Sequence, residues 1–174
     1  MILLTRNLNS KQNYINEIID ILKSDFVVSL ISDAGTPGIS DPGFLLVRES
    51  IVNQIDVFCL PGPTALIPAL IQSGFPTNRF VFEGFLPQKK GRQTRIENLA
   101  CENRTIIIYE SPHRVLKTLN QFLLYFEPDR KVSVVRELTK KFETQFRGSI
   151  SEATEYFSKN KPKGEFVILI SPEL

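Results

Sequence analysis

Short apolar runs rich in β-branched residues alternate along this chain with stretches whose apolar residues recur at helical spacing, and clusters of glycine and proline separate the two. Alternation of this kind argues for an α/β fold in which helices cover sheets. Tyr14, Ile15, Ile18, Ile19 and Leu22 fall on one helical face, and residues 26–31 follow as a short buried-strand pattern. Residues 33–43 (DAGTPGISDPG) are so dense in glycine and proline that they must be a loop. The pattern predicts a helix over 44–51 and a strand over 55–60. After a second break at 61–64 (PGPT) comes an apolar helix with an internal Pro68, ending near Gly74.

The alternation restarts at Arg79, with a strand over 80–85, a polar helix over 89–102 and an isoleucine-rich strand over 105–110. Ser111 and Pro112 read as a cap and a first helical residue, and Val115, Leu119, Phe122, Leu123 and Phe126 share the face of the helix that follows. Paired strands over 131–138 and 142–147, a short helix over 151–158 and a closing strand over 165–170 complete the chain. No strong periodicity crosses residues 73–78 (SGFPTN), which makes them the expected hinge. The division is then a partial N-terminal α/β domain, residues 1–78, and a C-terminal α/β domain, residues 79–174.

Composition narrows the function classes. With 174 residues, 42% hydrophobic and 23% charged, the chain has material for a real core, so disorder and low complexity are excluded. Lys plus Arg number 21 against 19 Asp plus Glu, a net charge of +2, so any nucleic-acid-binding surface must be local. Cys59 and Cys101 have no CxxC spacing, which points to neither a disulfide scaffold nor a zinc site. No apolar run approaches a membrane span, and residues 1–10 lack the blocks of a signal peptide, so a cytoplasmic protein with no metal is expected.

Both Gly/Pro loops, 33–43 and 61–64, follow strands, and ligands of α/β sheets bind at the carboxyl ends of strands. Each could also be only a sharp connection. Neither matches a phosphate loop or a dinucleotide fingerprint. His113, the sole histidine, follows a strand end beside Glu110, Ser111 and Arg114, where it is a catalytic candidate or a structural residue. Arg136, Glu137, Lys140 and Glu143 form a charged cluster after a strand, or merely a solvated turn. Lys89, Lys90, Arg92 and Arg95 make a dense positive block that could grip phosphates or coat a solvated helix.

The ordered series SDAGTPGISDPG (32–43), PGPTAL (61–66), FEGFLPQKKG (82–91), YESPHR (109–114) and RELTKKFE (136–143), with Arg147-Gly148 after it, strongly resembles one family. This is the tetrapyrrole-methylase-fold family of small-subunit (16S) ribosomal RNA methyltransferases, which methylate a cytidine ribose 2′-hydroxyl. The resemblance runs from about Ile18 to the C-terminus. It implies S-adenosyl-L-methionine held in a cleft between two α/β domains, usually in a homodimer, with small-subunit ribosomal RNA or the ribosomal subunit as partner and neither membrane nor DNA. Matched residue by residue, it implies cofactor contacts at Ala34, Gly35, Thr36, Ile39, Thr64, Ala65, Glu110 and Leu138. Lys89, Lys90, Arg92, Arg95 and Arg114 would face RNA, and Glu137, Lys140 and His113 are the candidates for catalysis.

Family members begin with a strand and a VPTPIGNL-type loop, then an acidic EDTR segment, and this sequence has neither. The first domain is therefore expected to be incomplete, with an exposed sheet edge. A misassigned start, a lost N-terminus or a strand supplied by a partner would each account for it. Two other functions remain open on sequence. One is a tetrapyrrole (precorrin-type) methyltransferase, against which the basic QKKGRQTR stretch argues. The other is a non-catalytic RNA-binding or dimerisation remnant of the ribosomal enzyme.

Overall fold

The computed structural model describes residues 2–4 and 12–173. They form two compact units, Met1–Thr64 and Ala65–Leu174. The first contains β1 (Ile2–Leu4), α1 (Gln12–Leu22), β2 (Val28–Leu30) and α2 (Phe44–Val52). β1 and β2 pair in parallel, with Ile2 opposite Val28 and Leu4 opposite Leu30. Ile15, Ile18 and Ile19 of α1 meet Leu46 of α2 in a small core, to which Val28 and Leu30 add their half-buried side chains. The helical spacing in α1 thus does what it predicts.

The strand predicted over 55–60 does not form. That segment joins no sheet among the described residues, and Phe58 and Leu60 are 84% and 83% exposed. A strand-like sequence becomes a strand only when a neighbour takes up its amides and carbonyls, and no described strand of this unit does so. The strand predicted over 26–31 contracts to β2 for the same reason, leaving Phe26 and Val27 exposed.

The second unit contains α3 (Leu66–Ser73), β3 (Phe80–Phe85), α4 (Arg92–Ala100), β4 (Thr105–Glu110), α5 (Val115–Phe122), β5 (Lys131–Arg136), β6 (Thr144–Ser149), α6 (Ile150–Lys159) and β7 (Phe166–Ile170). Its sheet runs β3-β4-β7-β5-β6. β3 and β4 are parallel, while β7 is antiparallel to both of its neighbours. The closing strand of the sequence is therefore the centre of the sheet, which is why FVILI is buried at every position. One sheet face, with Ile106, Ile108, Val132, Val134 and Ile168, packs on α4, α5 and α6. The other, with Ile107, Val135, Val167 and Leu169, packs on Leu66, Ala69 and Leu70 of α3. Because α3 covers that second face, the compact units part after Thr64, earlier than the hinge expected over 73–78.

Two local details depart from the sequence pattern. Ser111 does not cap α5 with its side chain; its carbonyl accepts the Arg114 and Val115 amides, and the helix begins at Val115. α6 carries an unpredicted capping box, with the Ser149 hydroxyl accepting the Glu152 amide and the Glu152 carboxylate accepting the Ser149 amide. Among the described residues no helix is long and apolar enough to cross a membrane. Nor does any group of three or more His, Cys, Asp or Glu side chains there gather in a way that could hold a metal.

Candidate functional site

In the first unit the loop after β2 is shaped by backbone conformations that few residues adopt. Gly43, with φ of +137°, precedes α2, and a Cβ there would stand 2.7 Å from Leu30 Cδ2. Glycine is needed for the loop to close against β2. Within the loop the Gly38 amide donates to Pro42 O and the Ile39 amide to Thr36 O, both at 3.2 Å, and Ser32 Oγ donates to Gly35 O at 3.0 Å. Thr36 Oγ1 donates to Pro63 O at 2.9 Å, tying the loop to the second Gly/Pro segment.

A pocket of about 240 Å³ opens at the strand end, lined by Leu30, Ile31, Ser32, Asp33, Ala34, Asp41 and Pro42. Sites that enclose a drug-sized ligand usually have about 300–1,000 Å³, so this one seats part of such a molecule. Of the expected cofactor residues, Ala34 lines it. Gly35, Thr36 and Ile39 lie in the same loop outside the lining, and Thr64 and Ala65 flank the division between the units. Asp33 and Asp41, the two carboxylates of the lining, are not among the residues the motifs single out; their place within the Gly/Pro segment is the only sequence signal that marks them.

In the second unit the basic block separates into two kinds of cation. Lys89 and Lys90 are exposed, and neither enters an ion pair among the described residues. Arg95 is half exposed and pairs with Glu83 at 3.2 Å. Arg92 points inward and is only 4% exposed. Its guanidinium donates to Gln121 Oε1 at 2.7 Å, Pro87 O at 3.0 Å and Thr118 Oγ1 at 2.6 Å, and stands 3.7 Å from the Glu110 carboxylate. Burial pulls Arg92 below its ordinary pKa, and the Glu110 charge opposes that pull. Arg114 pairs with Glu110 at 2.8 Å and donates to Leu86 O at 3.3 Å. Arg92, expected to face RNA, is therefore turned into the protein, and Arg114, its side chain 22% exposed, is bound to the same carboxylate; both hold the loop after β3, because a buried carboxylate needs cations beside it.

Glu110 is that carboxylate. It is 1% exposed, accepts the Ser111 amide at 2.8 Å and the Thr118 hydroxyl at 2.8 Å, and balances both arginines. Its side chain braces the ends of β3 and β4 and has no oxygen turned to solvent. Leu138 packs half-buried on the α3-side core. His113 is exposed in the turn before α5.

The turn after β5 is tightly woven. Glu137 and Thr139 have φ of +51° and +63°, conformations that cost non-glycine residues about 1–3 kcal/mol each and persist only where surroundings enforce them. Here the Glu137 amide donates to Glu165 O at 2.9 Å, and the Glu165 amide donates to the Glu137 carboxylate at 2.8 Å. Lys140 Nζ bridges Glu137 and Glu165 at 3.2 and 2.8 Å. The Glu137 side chain lies over Gly164, where a Cβ would come within 2.6 Å of it. The Glu165 amide and the Lys140 ammonium hold Glu137 below the usual carboxylate range, and bonding to Glu165 raises Lys140 above its ordinary value. Glu137 is fixed as an anion and Lys140 as a cation.

The model of the Tetrapyrrole (Corrin/Porphyrin) Methylases matches residues 3–154. The ribosomal RNA small subunit methyltransferase I of Thermotoga maritima is 45% identical over 169 residues, covering 97% of this chain and 76% of that protein. The chain belongs to that family. The Synechocystis sp. member is 49% identical over 156 residues, covering 89% of the chain and 56% of its relative. For the Hydrogenobaculum sp. member the identity is 45%, over 91% of the chain and 69% of the relative. The chain thus spans between about half and three quarters of the length of these relatives. Solved structures of the same fold include uroporphyrin-III C-methyltransferase from Thermus thermophilus complexed with S-adenosyl homocysteine, with a TM-score of 0.65 at 17% identity, covering 98% of this chain and 84% of that one. Cobalt precorrin-4 methyltransferase matches with a TM-score of 0.66 at 15% identity, covering 98% and 83%. At such identities these two establish the fold, a tetrapyrrole-methylase α/β architecture.

Proposed function

We propose that this chain carries S-adenosyl-L-methionine-dependent methylation of small-subunit ribosomal RNA, at the 2′-hydroxyl of a cytidine ribose. The observation that carries the reading is its 45% identity along nearly its whole length to a ribosomal RNA small subunit methyltransferase I. The loop chemistry is compatible with the cofactor: Asp33 and Asp41 bring carboxylates to a pocket that would meet a sulfonium or ammonium cation, and Gly35 leaves its backbone open, with nothing within 4 Å of where a Cβ would stand. Residues 32–43 and 61–65 would hold S-adenosyl-L-methionine, which when bound supplies an activated methyl group. In the transfer a carbon–sulfur bond breaks, a carbon–oxygen bond forms to the ribose, and the hydroxyl proton must be taken up.

The fixed charges divide the candidate roles. Lys140, held cationic, suits stabilisation of a developing alkoxide. Glu137, held anionic by the bonds it already accepts, suits orienting Lys140 better than taking a proton. His113, exposed and able to accept at a ring nitrogen, is the candidate base. Lys89 and Lys90, and Arg95 in part, supply the phosphate contacts. Two exposed free thiols suit a reducing, cytoplasmic setting, and the family resemblance supports a homodimer.

Incubation with methyl-labelled S-adenosyl-L-methionine and small ribosomal subunits, followed by mapping of the label, tests the reading. Label on a cytidine ribose is expected. Label on a base would overturn the 2′-hydroxyl assignment. Binding of the cofactor and of subunits without transfer would leave the non-catalytic remnant.

A further inference from the structure

A bulge in β3 changes which way its last residues point. Phe82 pairs with Ile107 and Gly84 with Ile108, so Glu83 is the extra residue. The bulge is accommodated by buried Gly84 at φ of +67°. In a regular strand residues 82 and 85 would lie on opposite faces; here both fall on the α3 side. Phe85 then pairs with Tyr109 and sets its ring edge-to-face against it, with centroids 5.8 Å apart, while Phe82 meets the same tyrosine at 4.9 Å. Tyr109 is itself anchored, its hydroxyl accepting the Leu66 amide at 3.1 Å. Phe85 is nevertheless 49% exposed. The next residue, Leu86, turns into the opposite core at 1% exposure, and Arg92 and Arg114 hold the carbonyls of Pro87 and Leu86.

The result is a braced aromatic ring at the carboxyl end of a strand, with two solvent-facing lysines four and five residues further on. Even fully extended, the chain between Phe85 and Lys89 spans at most about 14 Å, so the ring and the cations lie close enough to meet one stretch of a single strand. We propose that Phe85 is a base-stacking residue for unpaired RNA, its ring receiving a nucleobase while Lys89 and Lys90 take neighbouring phosphates. Single-stranded RNA is gripped by this pairing of an aromatic face with nearby cations, because every base has a π-face and every nucleotide a charge. Cations beside the ring favour a polyanion over an apolar partner. A ring already fixed by Tyr109 also loses little freedom on binding. This inference rests on the RNA substrate proposed above and names the contact that would hold it.

The chain contains no tryptophan, so Phe85→Trp creates a single fluorescent reporter at the proposed contact. Titration with a short unstructured oligoribonucleotide, and separately with small ribosomal subunits, should quench that tryptophan while affinity stays near that of the parent. Phe85→Ala should weaken binding about tenfold, the loss of roughly 1.4 kcal/mol of stacking. Phe85→Leu, which keeps apolar contact with Tyr109, should weaken it nearly as much, and all three variants should still unfold cooperatively, Phe85→Ala at a somewhat lower midpoint because it loses the ring contact with Tyr109. Equal affinity of the parent, Phe85→Ala and Phe85→Leu for RNA would overturn the stacking role and leave the RNA substrate standing. Failure of the parent itself to bind either RNA would overturn the substrate and the stacking role together. A change in sedimentation on Phe85→Ala with RNA affinity unaltered would instead make the ring a contact between protein chains, and would also overturn the proposal.

Discussion

The segments 55–60 (IDVFCL) and 166–170 (FVILI) look alike as sequence, each a short apolar run with β-branched residues, yet they end in opposite conditions. The second lies between β4 and β5 as β7, buried at every position. The first pairs with no described strand and leaves Phe58 and Leu60 almost fully exposed. The same contrast holds between the units around them. One has a five-stranded sheet with helices on both faces; the other has, among its described residues, two paired strands of three residues and a core of four buried apolar side chains. The lesson is that apolar character qualifies a segment to be a strand, while the presence of partners on both sides decides whether it becomes one.

The contrast can be broken most forcefully at the buried charges of the second unit. Glu110→Ala should cost about 3–5 kcal/mol, because it leaves Arg92 buried with no counter-charge. Denaturant unfolding measures this, and a loss below about 1 kcal/mol would mean that the network is dispensable. Ile168→Ala, at the sheet centre with 0% exposure, should cost about 2–5 kcal/mol in the same assay. Hydrogen exchange sharpens the comparison. Amides of β4 and β7 should open only with global unfolding, while those of β2 exchange at lower cost; equal protection would erase the difference between the units.

Smaller effects come from the edges. Ser149→Ala should remove about 1 kcal/mol by breaking the capping box of α6. The Glu102–Arg104 pair gives a pH-dependent increment. The bond from Arg104 holds the Glu102 carboxyl down at about 2, against an ordinary 4.5. Its contribution is fully present above pH 4.5 and disappears as pH falls through about 2. For a partly exposed pair it should be about 0.2–1 kcal/mol, and Arg104→Ala should flatten the acid limb of stability by that amount. Smallest of all, Phe58→Ala should change stability by no more than about 0.5 kcal/mol. A larger loss would show that the 55–60 segment is packed after all.

Much of this was legible in the sequence because it is local. The helical stripe of residues 14–22, the strand over 105–110, the apolar face of Val115, Leu119, Phe122 and Phe126 and the loop character of 33–43 depend on spacing and on glycine, which act within a few residues. The order of motifs likewise sufficed to identify the family. A run of cations, however, does not disclose which members point inward: Arg92 is buried because Glu110 and Thr118, on other elements, are within reach of it, while Lys89 and Lys90 beside it stay in water. Nor does a strand pattern disclose a bulge. Phe85 reaches the solvent-exposed edge of the α3 face only because Gly84 and the register with β4 insert Glu83 as an extra residue. Local backbone preference and hydrophobic period belong to the sequence alone, since neighbours along the chain impose them. Which charge is compensated, which strand is central and which aromatic faces water are set by contacts between residues far apart in sequence, and those exist only once the chain has folded.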